Sequence, residues 1–376
     1  MSRRAALDAG APGPWRRRRI PAGLESRALV VVVLALAAPG CLMTRYLTQA
    51  AHGQLELLGK ARPIEDVVRD PNTPVRTAML LAEIPAIKQY GRSYGLVIKR
   101  NYATYSALGR PAAVWFVGAA DPVAFKPLRW CFPIVGCFAG LGWFDEDDGV
   151  AQKLALDKQG YDTIIRPAAA YSTGGWFPDP VLSTMLGGGD DALPGLANVI
   201  LHESVHATVL VPDEPFFNES FASYIADVLT DHWINTRFGP GSPEDLAWTL
   251  GEAVRLPRTA RLLDAYDQLK RVYDGAAPRD KKLAAKALII DDLVADLHLR
   301  RRPNNASLTE TRVYNGGVAP IAFAHRACGD VRSLVDAGRT LTRTDFARTL
   351  QDDLTPIGGV LAERCKRLQA ARRPTT

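Results

Sequence analysis

The chain lacks internal repeats and any long low-complexity linker. That excludes a solenoid and a string of tethered modules, and it leaves residues 41–376 as one unit. A basic surface is also missing from its body. Of the formal net charge of +6, residues 1–40 supply +5: Arg3, Arg4, Arg16, Arg17, Arg18, Arg19 and Arg27, less Asp8 and Glu25. The remainder is near neutral, so nucleic acid is excluded as a partner. Cysteine is scarce, at five residues, and so is histidine, at six. What is there is an ordinary globular composition, 47% hydrophobic and 23% charged over 376 residues, enough to bury a sizeable core.

Residues 1–40 read as an export signal. A basic stretch ending at Arg27 precedes an uncharged run from Ala28 to Ala38, too short to span a bilayer comfortably. Ala38-Pro39-Gly40-Cys41 follows and resembles a bacterial lipobox, in which Cys41 carries the lipid and anchors the mature chain to a membrane. Ala38 stands where a Leu is usual. A plain signal peptide and an uncleaved anchor are the alternatives. Leu42 is not the Asp that retains some lipoproteins in the inner membrane, which favours the outer one. With Cys41 set aside, Cys131, Cys137, Cys328 and Cys365 remain, an even set compatible with disulfides outside the cytoplasm. Cys131 and Cys137 flank Pro133 and Gly136, as in a bridged turn. A Cys328–Cys365 pair follows only by elimination, and buried free thiols are the equal alternative.

Periodicity predicts a helix over Tyr46 to Arg62, stopped by Pro63, and a second over Pro74 to Tyr90. Ala113 to Val117 is a short β-type run. Pro133 to Phe144 reads as a hairpin, Gly149 to Gln159 as a helix, and Tyr161 to Ile165 and Ala168 to Thr173 as two strands. After Asp191 the pattern is helical: Leu193 to Leu210, capped by Asp190 or Asp191; Phe216 to Thr236; Pro243 to Val254; Arg258 to Tyr273; Arg279 to His298; and a final set from Val318 to Arg372. The expected fold is α+β and predominantly helical, with a small mixed sheet upstream.

Chemistry concentrates at His202-Glu203-Ser204-Val205-His206. A four-residue step puts both imidazoles on one helix face, where their nitrogens converge on one metal ion, and neutral imidazoles suit Zn2+. Glu203 projects to the side, within reach of an attacking water yet outside the coordination set. A catalytic zinc needs a third protein ligand. Glu219, near the start of the next helix in Asn218-Glu219-Ser220-Phe221-Ala222, supplies it once the loop Val211–Pro215 reverses the chain. The bland alternative is two surface histidines on an amphipathic helix. The apolar flank Val199-Ile200-Leu201 and the reachable Glu219 argue against it. In thermolysin-type peptidases an aspartate four residues past the ligand Glu braces a ligand His. Ser223 stands there in this chain, and Asp227, one turn on, is the substitute candidate.

These residues resemble the bacterial predicted aminopeptidases, exported zinc-dependent lipoproteins. Tyr46-Leu47-Thr48-Gln49-Ala50 and Arg62-Pro63-Ile64 are similar to the segment after that family's lipid cysteine, and Trp130 to Cys137 to its cysteine turn. Ala170-Tyr171-Ser172-Thr173-Gly174-Gly175-Trp176-Phe177 with Asp179 to Met185 resembles the stretch before its metal helix, with Gly174 in place of a Leu. Asn304-Asn305-Ala306, Tyr314-Asn315 and Phe323 echo a downstream block. The resemblance runs from about residue 41 to 330. It implies a zincin-like core and peptide hydrolysis at the periplasmic face of the envelope, with a peptide as partner.

Further candidates come from zinc-peptidase chemistry. Tyr171, Ser172, Thr173 and Gly174 lie in an extended run that suits pairing with a substrate backbone, or an ordinary sheet strand. Tyr314 is a candidate donor to the oxyanion, against the commoner role of a packing tyrosine. Asp213 and Glu214 are candidates for holding a substrate amine, against solvated loop charges. His52, His232, His298 and His325 read as structural. Two other functions stay open: a non-catalytic envelope module with a structural metal, and a zinc endopeptidase. Glu203, which a structural site does not need, separates the first from the enzyme.

Overall fold

The computed structural model of the chain describes residues 42–132, 136–171 and 178–372. Cys41 and the leader, with Ser172, Thr173 and Gly174, lie outside the described residues. Helix α1 (Leu42–Gly59) leads into β1 (Ala61–Pro63), α2 (Ile64–Arg69) and α3 (Val75–Ser93). Strands β2 (Thr104–Ser106), β3 (Val114–Ala120), β4 (Trp130–Phe132), β5 (Gly136–Phe138) and β6 (Gly140–Trp143) follow, then α4 (Glu146–Lys158), β7 (Asp162–Ala168) and β8 (Val181–Leu182). From there the chain is helical: α5 (Ala192–His206), α6 (Pro215–Phe238), α7 (Pro243–Asp274), α8 (Arg279–Asp296), α9 (Asn305–Asn315), α10 (Val318–Cys328), α11 (Val331–Gly338) and α12 (Thr355–Arg372). The fold is α+β and predominantly helical. By compactness the chain divides into Met1–Thr48 and Gln49–Thr376. No helix among the described residues is long and apolar enough to cross a membrane.

The sheets are small. In one, β1 pairs antiparallel and β8 parallel with β2; in another, β6 and β7 both run antiparallel to the central β3. The β4–β5 hairpin sets Cys131 opposite Cys137, and the two are joined as a disulfide across a Cα–Cα distance of 3.9 Å. Cys328 at the end of α10 is joined to Cys365 in α12, and both are buried.

The core explains the helical half. On α5 the residues Leu196, Ala197, Ile200, Leu201, Ser204 and Val205 are buried, one stripe at helical spacing. On α6 the matching stripe is Phe217, Phe221, Ala222, Ile225, Ala226 and Leu229. Each fully buried Leu, Ile or Phe contributes about 1.5–3 kcal/mol, so the contact between these two helices is a large apolar part of the core. Helix α11 closes on it: a Cβ at Gly338 would lie 2.7 Å from Phe221 Cζ.

Several boundaries differ from expectation. Helix α5 stops at His206 rather than Leu210. There Thr208 Oγ1 donates to the Ser204 carbonyl at 2.6 Å and accepts from Val97 N at 2.8 Å, which turns the chain out of the helix. Asp191 stands at its N-cap without a side-chain capping bond. The two helices expected over 243–273 are one, α7, with Pro257 inside it. Ala253, whose carbonyl loses its partner, and Pro257 are both exposed, so water satisfies what the proline removes. No strand follows β7 over Ala169–Tyr171, where the backbone is irregular.

Gly338→Ala is expected to overpack the α6–α11 contact and to cost about 1–3 kcal/mol, read as a lower melting temperature. An unchanged melting temperature would contradict the close approach.

Candidate metal centre

The chemical face of α5 is the one its core stripe leaves free. Asn198, His202 and His206 form one row at four-residue steps. On α6, Glu219, Ser223 and Asp227 form another. Contacts set the two rows antiparallel. Glu219 Oε2 lies 3.2 Å from His202 Nε2 and 3.3 Å from His206 Nε2. The two imidazole nitrogens are 3.1 Å apart. At the other end Asn198 Nδ2 donates to Asp227 Oδ1 at 2.9 Å. The three ligand-bearing side chains thus form a group that could hold a metal ion, with ligand atoms all within 4.8 Å of one another.

The reversal between the helices is closed by a side chain. Asn218 is buried, its Oδ1 accepts from Val211 N at 2.9 Å, and its Nδ2 donates to Val211 O at 2.8 Å. The amide therefore mimics a strand partner for the loop and fixes where Glu219, the next residue, emerges. Its neighbour on the other side is equally engaged. Ser220 Oγ donates to the Val313 carbonyl at 2.8 Å and accepts from Gly317 N at 3.0 Å. A Cβ at Gly317 would lie 2.7 Å from Ser220 Cβ, so the end of α9 docks closely on α6.

That docking delivers Tyr314. Its ring lies 6.1 Å from the His202 ring, centroid to centroid, and nearly parallel to it. The far end of α9 is lashed to the sheet: Asn304 Nδ2 donates to Thr163 O at 2.7 Å and Asn305 Nδ2 to Asp121 O at 2.8 Å. Arg166 on β7 pairs with Glu310, one turn before Tyr314 on the same helix.

Electrostatics follow from burial. Burial pushes the Glu203 carboxyl above the ordinary carboxylate range; His206 and His202 pull it down, while Glu219 and Asp179 add to the rise. Burial works the same way on Glu219, but hydrogen bonds from both histidines outweigh it and hold its carboxyl far below the usual range. His206 would be lowered by burial, yet its bond to Glu219 raises it. Tyr314 is raised, first by burial and then by the Glu219 charge, with Arg166 opposing.

The remaining candidates have partners of their own. Asp227 does not brace a histidine. The antiparallel register sets it opposite Asn198, a full turn past His202, where Arg255 Nη2 also meets it at 2.8 Å. Glu214 is not a solvated loop charge. It is fully buried, with Oε2 accepting from Gln351 N at 3.1 Å and Oε1 3.3 Å from Arg343. Asp213 pairs with Arg129 at 2.8 Å. Tyr171 packs its ring 5.1 Å from Phe144. His232 bonds Tyr94 at 2.9 Å, and His325 bonds Tyr224 at 2.9 Å.

Sequence reasoning missed the roles of Arg166, Glu310 and Ser220, and the clamp made by Asn218. Only the last had a signal, since an asparagine directly before a ligand glutamate is placed to hold the loop that precedes it.

Asn218→Ala removes both clamp bonds and leaves the Val211 amide and carbonyl unpaired. We expect a stability loss of about 1–3 kcal/mol and metal affinity weaker by about 10- to 100-fold, read by competitive metal titration. Wild-type affinity in this variant would refute the clamp.

A family model described as "Putative aminopeptidase" matches residues 45–349 of the chain. No curated protein and no solved structure matches it.

Proposed function

The chain belongs to the putative aminopeptidase family, and from that premise we propose that it is a zinc-dependent peptidase of the cell envelope, specifically an aminopeptidase, with a zincin-like core. The observation that carries the reading is the convergence of His202 Nε2, His206 Nε2 and Glu219 Oε2 at mutual separations of 3.1, 3.2 and 3.3 Å. A tetrahedral zinc with ligand bonds of about 2.0–2.1 Å holds its ligand atoms about 3.3–3.4 Å apart, so the group fits that ion closely. Three protein ligands also leave one position open, as catalysis requires.

In this reading His202, His206 and Glu219 hold the zinc, which when bound polarises the scissile carbonyl and makes water a better nucleophile. Glu203 is the base. It is covalently next to His202, outside the ligand set, and its raised carboxyl binds a proton more readily than an exposed glutamate. It accepts the proton of the attacking water and passes it to the nitrogen of the leaving amine. Tyr314 keeps its proton, because burial raises it, and donates a hydrogen bond to the carbonyl oxygen as that oxygen becomes anionic. The leader and a lipid on Cys41 would tether the site at the periplasmic face, with the outer membrane favoured.

Glu203→Gln is expected to retain about one zinc per chain and to lower peptide hydrolysis by at least about 10²-fold. Zinc content and turnover are measured on the same sample, and full activity in the variant would rule out the mechanism. On the wild type, free peptides should be cleaved and their N-acetylated counterparts spared. Equal cleavage of both would make the enzyme an endopeptidase.

A further inference from the structure

A polar junction joins α5, α6, α7 and α9. Its hub is Arg255 on α7, a helix that carries none of the three candidate ligands. Every nitrogen of the guanidinium is engaged. Nε donates to Glu252 Oε1 at 2.6 Å and Nη2 to Glu252 Oε2 at 2.5 Å. Nη2 also donates to Asp227 Oδ2 on α6 at 2.8 Å, and Nη1 to Asn315 Oδ1 on α9 at 3.3 Å. Asp227 carries the link on to α5, since its Oδ1 accepts from Asn198 Nδ2 at 2.9 Å, one turn before His202.

The donor inventory fixes the direction of each bond. A guanidinium only donates and an ionised carboxylate only accepts. Asn315 must therefore turn its oxygen to Arg255, which leaves its Nδ2 to the Thr311 carbonyl at 3.1 Å. Glu252, three residues before Arg255 on the same helix, takes one edge of the fork with both oxygens. Such a bidentate pair sets the plane of the guanidinium as well as its place, and so aims Nη1 at α9. A lysine could not do this. Its single ammonium, drawn between Glu252 and Asp227, has no second arm for Asn315.

What the junction holds is the last turn of α9. That helix has 11 residues, short enough to be marginal by itself, and the last carbonyls of any helix lack partners within it. Tyr314 lies between two residues that are tied from outside: Val313 to α6 through Ser220, and Asn315 to α7 through Arg255. We propose that Arg255 is a positioning residue of this centre: by holding Asn315 from the same guanidinium that holds Asp227, it fixes the end of α9, and with it Tyr314, against the helix pair that carries the candidate ligands. The inference rests on the peptidase reading for what Tyr314 does, but not for how the end of α9 is held.

Amide hydrogen exchange, followed residue by residue in the metal-free protein, tests the hold itself. Asn315→Ala deletes the α9 arm and leaves Arg255 with both acids. It should speed exchange at the Tyr314 amide by about 10-fold and leave the first turn of α9, tied by Asn304 and Asn305, unchanged. Alanine is the better helix former, so faster exchange reports the lost bonds and not propensity. Arg255→Lys should give the same pattern. Unchanged exchange at Tyr314 in either variant, or equal acceleration at both ends of α9, overturns the proposal. In turnover, Arg255→Lys should lower kcat by about 10-fold with KM little changed, and should add nothing in the Tyr314→Phe background. A loss that persists in that background, or one confined to KM, overturns the positioning role. A wild-type chain that hydrolyses no peptide while exchange responds as expected overturns the peptidase reading and leaves Arg255 as the residue that holds the end of α9.

Discussion

Two imidazole nitrogens and one carboxylate oxygen can share a metal ion only if the helices that carry them cannot slide. One helical turn of slip moves a side chain by about 5.4 Å, more than the separation of any two ligand atoms here. Much of the molecule can be understood as a defence of that register. The apolar stripes of α5 and α6 supply the adhesion but not the specificity, since aliphatic surfaces tolerate sliding. The register comes from polar bonds at both ends of the interface: the Asn218 clamp on Val211 at the loop end, and the Asn198–Asp227–Arg255 contact a turn beyond His202.

A second layer fixes what faces the ligands. Helix α9 is short, and α9 on its own would fray. Asparagines tie its first turn to β7 and to the turn after β3, and the Ser220 hydroxyl bridges its last turn to α6. The upstream sheet, which carries none of the three candidate ligands, thereby positions Tyr314. That accounts for an α+β architecture in a chain whose candidate metal ligands all lie on helices: the strands are the frame against which α9 is set, with Arg166 of β7 paired to Glu310 of α9.

How much of this was legible in the sequence follows from range. His202, Glu203 and His206 are a local pattern on one predicted helix, and Glu219 needs only a short reversal, so the candidate group could be written down from spacing alone. Most helices after Asp191 were equally local, but α9 over Asn305–Asn315 was not foreseen. Errors arose where a non-local contact decided the outcome. Thr208 ends α5 because of Val97, more than a hundred residues earlier. Asp227 looked like a brace for a histidine, but the antiparallel register turned it toward Asn198. Pro257 looked like a helix break, yet it faces solvent and the helix runs on. Glu214 looked like a loop charge until the segment carrying Gln351 covered it. Arg166 and Glu310 are separated by 144 positions, and nothing in either neighbourhood announces the other.

The coordination set is tested most directly by X-ray absorption at the zinc edge of the metal-loaded protein. The set predicts one zinc per chain bound only by nitrogen and oxygen at about 2.0–2.1 Å, with two imidazoles and a multiple-scattering signal that falls to one imidazole in His206→Ala. A sulfur shell at about 2.3 Å, or a spectrum unchanged in His206→Ala and Glu219→Ala, would contradict it.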